Sequence, residues 1–191
     1  MNKSKKSMAK LDVLAPFIFS FEGAYGNDPI DKGGATKYGV TIGTWKRQGY
    51  DKDRDGDIDV EDLKLITLDD AKMIMRKNFW NKWQADAIKD QSIANCLVDW
   101  VWGSGVYGIK IPQAKLGVLA DGIVGPNTIA ALNKQDPKAF FAWLKERRKT
   151  YLQRYVQNQP KQQRFLKGWL RRLDGIKYGS LVYNNGKEIR F

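Results

Sequence analysis

Apolar residues recur at helical spacing along most of the chain. Leu11, Leu14, Ile18 and Phe21 share one face, which predicts a first helix over about 11–23 ended by Gly23. Thr67-Leu-Asp-Asp70 reads as a capped start, with Thr67 as N-cap and Asp70 at the third helical position, for a helix reaching about 81. An apolar run predicts a long helix over 92–102. GSGVYG at 103–108 breaks it, and helix resumes over 109–116. The turn at 120–128 feeds a helix through 132. Pro137 and Pro160 sit at the first positions of two more, reaching about 157 and 173. Strand signals are confined to 37–42, inside a Gly- and Asp-rich stretch at 24–43, and to 178–191, where Asn184-Asn185-Gly186 suits a hairpin turn. A short helix is expected over 44–48, and residues 1–8 read as a frayed basic tail. The predicted fold class is mainly α: a helical bundle with one small β-hairpin near residues 30–42.

Charge changes the picture in two places. The chain carries +12 overall. Residues 145–191 hold thirteen Lys/Arg against three Asp/Glu, whereas 51–70 hold nine acids against three bases. The basic end suits a polyanion such as nucleic acid, anionic lipid or an acidic wall polymer. No nucleic-acid motif accompanies it, so Arg147, Arg148, Arg171 and Arg172 read as a solvated helical face attracting anionic wall polymer. Histidine is absent and Cys96 is the sole cysteine. That excludes His-based acid–base work, Ser-His-Asp nucleophiles, His-ligated zinc and an internal disulfide. No apolar run approaches the ~18 residues of a membrane span. The basic-then-apolar start is not read as a signal peptide: Asp12 interrupts the apolar run and no small-x-small site follows. The expected location is synthesis in the cytoplasm, then action at the cell wall after holin-, secretion- or lysis-dependent release.

The candidate chemistry lies between Phe21 and Thr41. Glu22 ends an apolar helix beside Phe19, Phe21 and Tyr25. A carboxyl in apolar surroundings keeps its proton more readily, which suits a general acid. Asp31 follows in a polar, Gly-flanked loop where a carboxylate stays ionised, and Thr36 adds a hydroxyl. Acid, carboxylate and hydroxyl around one turn are what glycoside hydrolysis uses. The same residues also read as a helix end followed by an Asx-rich turn.

Glu22-Gly-Ala-Tyr25, Asp28-Pro-Ile-Asp31-Lys-Gly-Gly34-Ala-Thr36, Tyr38-Gly-Val-Thr41 and Trp45 resemble the motif of family-108 glycoside hydrolases. These are N-acetylmuramidase-type lysozymes, some known as predicted secretion activator proteins. Ala24 departs from the family's usual glycine. The resemblance implies an α+β lysozyme-like fold and a lysozyme that cleaves the β-1,4 bonds of peptidoglycan. It puts the general acid on Glu22, with Asp31 and Thr36 as further catalytic candidates. Asp31 and Thr36 also approximate the Asp and Thr spacing of phage-type lysozymes, one residue short. Tyr25, Tyr38 and Trp45 become candidate sugar-binding aromatics. Trp80, Trp83, Trp100 and Trp102 are weaker ones, since about four of the seven tryptophans are expected in the core. Ala120-Asp-Gly-Ile-Val-Gly-Pro-Asn-Thr-Ile-Ala-Ala-Leu132 resembles the peptidoglycan-binding module that follows such catalytic segments, although Gly103 replaces the usual Asn before Ser104-Gly105. The expected division is a catalytic segment over 1–97 and a binding-type segment over 98–191, packed as one unit. The alternative function is a noncatalytic wall-binding or secretion-assisting protein on the same fold.

The acidic stretch has its own pattern. Asp51, Asp53, Asp55, Asp57, Asp59 and Asp62 fall at positions 1, 3, 5, 7, 9 and 12 of an EF-hand-type loop. Gly56 sits at the sharp turn and Ile58 at the anchoring position. A structural Ca²⁺ is the expected cofactor, with no catalytic ion. Asp62, shorter than the usual Glu, is expected to alter denticity.

Overall fold

The computed structural model describes residues 8–23, 25, 26 and 34–191. The expected tail at 1–8 lies outside these except for Met8, and Asp31 lies outside them too. The chain is mainly helical, with two small antiparallel sheets. Its elements run α1 (Leu11–Phe21), β1 (Thr36–Lys37), β2 (Val40–Thr41), α2 (Ile42–Gln48), α3 (Val60–Leu65) and α4 (Leu68–Met75). They continue through α5 (Gln91–Ser104), α6 (Tyr107–Leu116), α7 (Pro126–Asn133), α8 (Pro137–Asn158) and α9 (Gln163–Gly175) to β3 (Ile176–Lys177), β4 (Ser180–Val182) and β5 (Glu188–Arg190).

Local chemistry accounts for most boundaries. Thr67 caps α4 and Asp70 returns the bond, so the capping box forms. The helix expected to reach 81 instead loosens after Met75 into a wide turn over Arg76–Trp80, followed by tight turns. Pro137 opens α8, where Asp136 accepts from Ala139 N–H. Pro160 opens a short 3₁₀ turn before α9. Tyr38 and Gly39 form the two-residue loop between β1 and β2, and both have positive φ (49° and 76°). That geometry matches the strand twist and favours glycine at Gly39. The C-terminal sheet, ordered β3-β4-β5, includes the hairpin foreseen at 184–186 and adds β3 before it.

Helix α5 is the axis of the main core. Ile93, Cys96, Leu97, Val98, Trp100 and Val101 are buried on it. The same core takes in Leu14 and Phe17 of α1, Ile109 of α6, Phe140 and Leu144 of α8, and Ile176 and Leu181 of the C-terminal sheet. Gly108 lets α6 approach closely, since a Cβ there would meet the Val101 nitrogen at 2.6 Å. A boundary at 97/98 therefore cuts through the middle of α5. The apolar run around Asp99 is one continuous helix, not the end of one segment and the start of another.

A second, smaller core of Val40, Trp45, Leu63, Ile66, Ala71 and Ile74 sits beneath the β1–β2 hairpin and the acidic loop, with Ile58 packed against it. Trp45 is fully buried there. This corrects its placement as a sugar-binding residue: its position on the inner face of α2 gives its ring to the core. Trp80, Trp83 and Trp100 are likewise fully buried.

The acidic loop is tied to α4 through Asp70, which accepts from Lys52 Nζ at 2.6 Å and Tyr50 Oη at 2.8 Å. Burial alone would raise the Asp70 carboxyl. Hydrogen bonds from Lys52, Thr67 and Tyr50 outweigh it and bring the pKa down to about 2. A depressed carboxylate adds stability above its unfolded pKa and loses it as pH falls through the folded one. Acid titration should therefore remove about 1–2 kcal/mol between roughly pH 5 and 2. Asp70→Asn should flatten that part of the stability–pH curve, and an unchanged curve would contradict the assignment.

Candidate active site

Glu22 is the C-cap of α1, with extended backbone, and its N–H donates to Phe19 O. Its carboxyl is not in an apolar pocket as the sequence suggested. Oε1 accepts from Trp102 Nε1 at 3.0 Å and from Arg172 Nη1 at 2.8 Å. Trp102 comes from the end of α5 and Arg172 from α9, so three distant segments meet on one oxygen atom. The Glu22 side chain remains 23% exposed. The β1–β2 hairpin closes one side: Gly39 lies so near Trp102 and Glu22 that a Cβ there would collide with the indole.

Arg172 is itself held. Its Nε and Nη2 donate to Asp99 Oδ1 at 2.9 and 2.6 Å. Asp99 is fully buried, and its Oδ2 lies 2.7 Å from Arg148 Nη1 of α8. Arg148 Nη2 also donates to the Asp99 carbonyl at 3.2 Å. Burial would raise the Asp99 carboxyl, but the Arg172 and Arg148 charges hold it below its ordinary value. Burial would lower the Arg172 guanidinium, but Asp99 and Glu22 raise it. The chain Arg148–Asp99–Arg172–Glu22 thus alternates in charge and fixes the guanidinium that fixes the acid. Arg148 and Arg172 are correspondingly not a solvated face. Arg148 is buried and Arg172 points inward, whereas Arg171 is exposed and binds the Asn184 carbonyl.

Glu22 and Trp102 sit in a groove of about 440 Å³ whose far wall carries Tyr107, Tyr151, Tyr155 and Trp169. The arrangement offers one carboxyl at a ring-lined cleft, which suits proton transfer to an amphipathic, hydroxyl-rich substrate. Sequence reasoning missed this wall and the Asp99 network. A lone acid inside the apolar run of α5 was the available signal for Asp99. No motif singled out the tyrosines, which lie scattered over two helices.

Of the other expected site residues that are described, Tyr25, Thr36, Tyr38 and Trp45 do not line this groove. Tyr38 packs on Phe19 and lines a separate depression with Asp12 and Lys72. Tyr25 is exposed near the hairpin, where neighbouring Gly26 pairs with Thr36. Thr36 Oγ1 donates to Gly34 O at 3.2 Å, so the hydroxyl is engaged locally. In the second segment, the turn around Gly122 is fixed by the buried Gln113 side chain, which accepts from Gly122 N–H and donates to Ile123 O. Thr128 is buried in the first turn of α7.

The acidic loop places its side chains as two groups, Asp51 with Asp53 and Asp55, and Asp57 with Asp59 and Asp62. Asp51 accepts from Arg54 and Gly56 N–H, which curls the loop, and Gly56 has φ +104°. Buried Asp62 accepts from the backbone of Asp59, Lys52 and Asp53, and these bonds lower its carboxyl. Partial desolvation and then the charges of Asp55, Asp62 and Asp51 raise Asp53. Asp55, then desolvation and Asp59, raise Asp57.

The glycosyl hydrolase 108 family model matches residues 15–105, and a predicted peptidoglycan domain matches residues 107–174. The two matches meet at the end of α5, past the boundary expected from sequence. Among solved structures the chain is similar to that of SagA from Brucella abortus, with 28% identity over 87% of this chain and 90% of that one and a TM-score of 0.68. No curated protein matches.

Proposed function

From a chain that belongs to the glycosyl hydrolase 108 family over residues 15–105 and continues into a peptidoglycan domain over 107–174, we propose a lysozyme that cleaves the β-1,4 bond following N-acetylmuramic acid, with Glu22 as general acid. The supporting observation is Glu22 itself, partly exposed in the ring-lined groove and gripped on Oε1 by Trp102 and Arg172. Those two donors set the carboxyl plane. As the proton leaves for the glycosidic oxygen, they also stabilise the carboxylate that remains. Asp31 is proposed to position water or offset charge at the sugar, and Thr36 to hold the hairpin through its bond to Gly34 O. Digestion of purified peptidoglycan followed by muropeptide analysis tests the reading. Reducing-end N-acetylmuramic acid is expected. Reducing-end N-acetylglucosamine, or no soluble product, overturns it.

The wall is the proposed site of action, reached by secretion, a holin or lysis, with peptidoglycan and its anionic polymers as partners. Among the described residues no helix is long and apolar enough to cross a membrane.

For the loop over 51–62 we propose calcium bound structurally by Asp51, Asp53, Asp55, Asp59 and Asp62, with Asp57 contributing its carbonyl. The donor set is hard oxygen, and its carboxylates gather as two groups of three in one loop, where a cation would offset their charge. Ligand binding at one hundred times its Kd stabilises by about 2.7 kcal/mol. Calcium should then raise Tm by roughly 5–10 °C for a chain of this size. Asp51→Ala with Asp55→Ala should abolish the shift, and magnesium should replace calcium poorly. Equal melting in chelator and in millimolar calcium would refute the ion.

A further inference from the structure

The groove wall opposite Glu22 comes from outside the residues matched by the hydrolase family. Tyr151 and Tyr155 lie one turn apart on α8, and Trp169 faces them from α9. Their rings form a continuous series. Centroids are 6.4 Å apart between Tyr151 and Tyr155 at an interplanar angle of 20°, and 6.0 Å apart between Tyr155 and Trp169. Phe165 stacks on the outer side of Trp169 at 5.9 Å and 26°, and is 42% exposed. Tyr107 joins at the Tyr151 end, 5.9 Å from that ring. Helix α9 buries only Leu173 and Gly175, so its aromatic side faces the groove without being covered by core.

Buried aromatic residues in a core are ordinary, but a half-exposed row lining the same groove as a carboxyl is not explained by packing. Two occupants stack on such rows: sugar rings through their C–H faces, and nucleobases. Position and charge together decide between them: the row lines the same groove as Glu22, the proposed acid for a glycosidic bond. A strand of phosphates needs unpaired cations along the row. The two guanidiniums in the groove, Arg148 and Arg172, are both committed to Asp99, and Arg172 to Glu22 as well. Among the described residues no free guanidinium therefore faces the groove floor, and Arg164, 4.6 Å over the Phe165 ring, lies only at the outer end of the row.

We infer that Tyr151, Tyr155 and Trp169 form a saccharide-stacking wall on which a β-1,4-linked N-acetylated glycan lies while its scissile bond rests at Glu22. The binding-type segment is then one wall of the catalytic cleft, not a separate wall anchor. This rests on the reading of Glu22 as the acid in that groove.

The test uses the full chain carrying Glu22→Gln and titrates it with the N-acetylglucosamine hexasaccharide by calorimetry. Adding Trp169→Ala or Tyr155→Ala should weaken binding about tenfold each. Trp169→Phe, which keeps a ring, should stay within about threefold, and its melting curve guards against a folding artefact. Oligo-dT should fail to compete. Unchanged binding in both alanine variants, absence of hexasaccharide binding, or displacement by oligo-dT overturns the wall. Hydrolysis that survives Glu22→Gln while the alanine variants still lose binding overturns the acid assignment and leaves the wall standing.

Discussion

Glu22→Gln is expected to lower peptidoglycan hydrolysis by about 10²–10⁴-fold, the usual contribution of a positioned general acid. The amide keeps the shape of the side chain, and its carbonyl can still accept from Trp102 and Arg172, but it has no proton to give. Folding should be little affected. The Glu22–Arg172 pair is mostly buried, but the amide still accepts from Arg172, so the loss is the difference between a charged and a neutral acceptor, about 1 kcal/mol. Arg172 also keeps its two bonds to Asp99. Tm should therefore fall by no more than about 4 °C. A turbidity assay on purified sacculi, run beside a melting curve, separates the two effects. Turnover near that of the parent protein would reject Glu22 as the acid.

Legibility followed the range of the interaction. Capping boxes, proline starts and helical periodicity are local, and α4 and α8 begin where Thr67 and Pro137 indicate, whereas Pro160 starts only a 3₁₀ turn and α9 follows at Gln163. The β1–β2 turn needs two positive φ values in succession, and Gly39 announces half of that. Glu22 was legible through a motif of typed residues around one hairpin. Its surroundings were not, because Arg172 is 150 positions away in sequence. Periodicity shows which face of a helix is apolar but not which charged residue turns inward to meet a buried partner. Hence Arg148 and Arg172 looked solvated, although Asp99 lay inside an apolar run that had to face the core. Trp45 failed for the opposite reason. Nearness in sequence to a catalytic hairpin suggested a sugar contact, whereas the one-turn spacing of α2 rotates its ring into the smaller core.

Removing Asp99 is expected to have the largest effect on stability. Its carboxylate is fully buried between two guanidiniums that are themselves 5% and 13% exposed. Asp99→Ala leaves both cations without their shared partner in a poorly hydrated place. Breaking a buried ion pair from one side typically costs about 3–5 kcal/mol, most of it the uncompensated charge. For a chain of this size Tm should fall by roughly 6–20 °C. The sign of the pH dependence follows from the depressed Asp99 carboxyl. Its contribution is present above the ordinary carboxylate pKa and is lost as pH falls through the lower folded value, so the parent and Asp99→Ala should converge in acid. Activity should fall too, because an unanchored Arg172 no longer fixes Glu22 Oε1. A second variant separates charge from packing. Asp99→Leu with Arg148→Met replaces one ion pair by apolar groups of similar size, an exchange that is often neutral or stabilising. It should recover much of the lost Tm but not the activity, since Arg172 still lacks its anchor. If Asp99→Ala melts with the parent at neutral pH, the buried network carries no net stability. If the double variant restores hydrolysis, Arg172 needs no anchor to orient the acid.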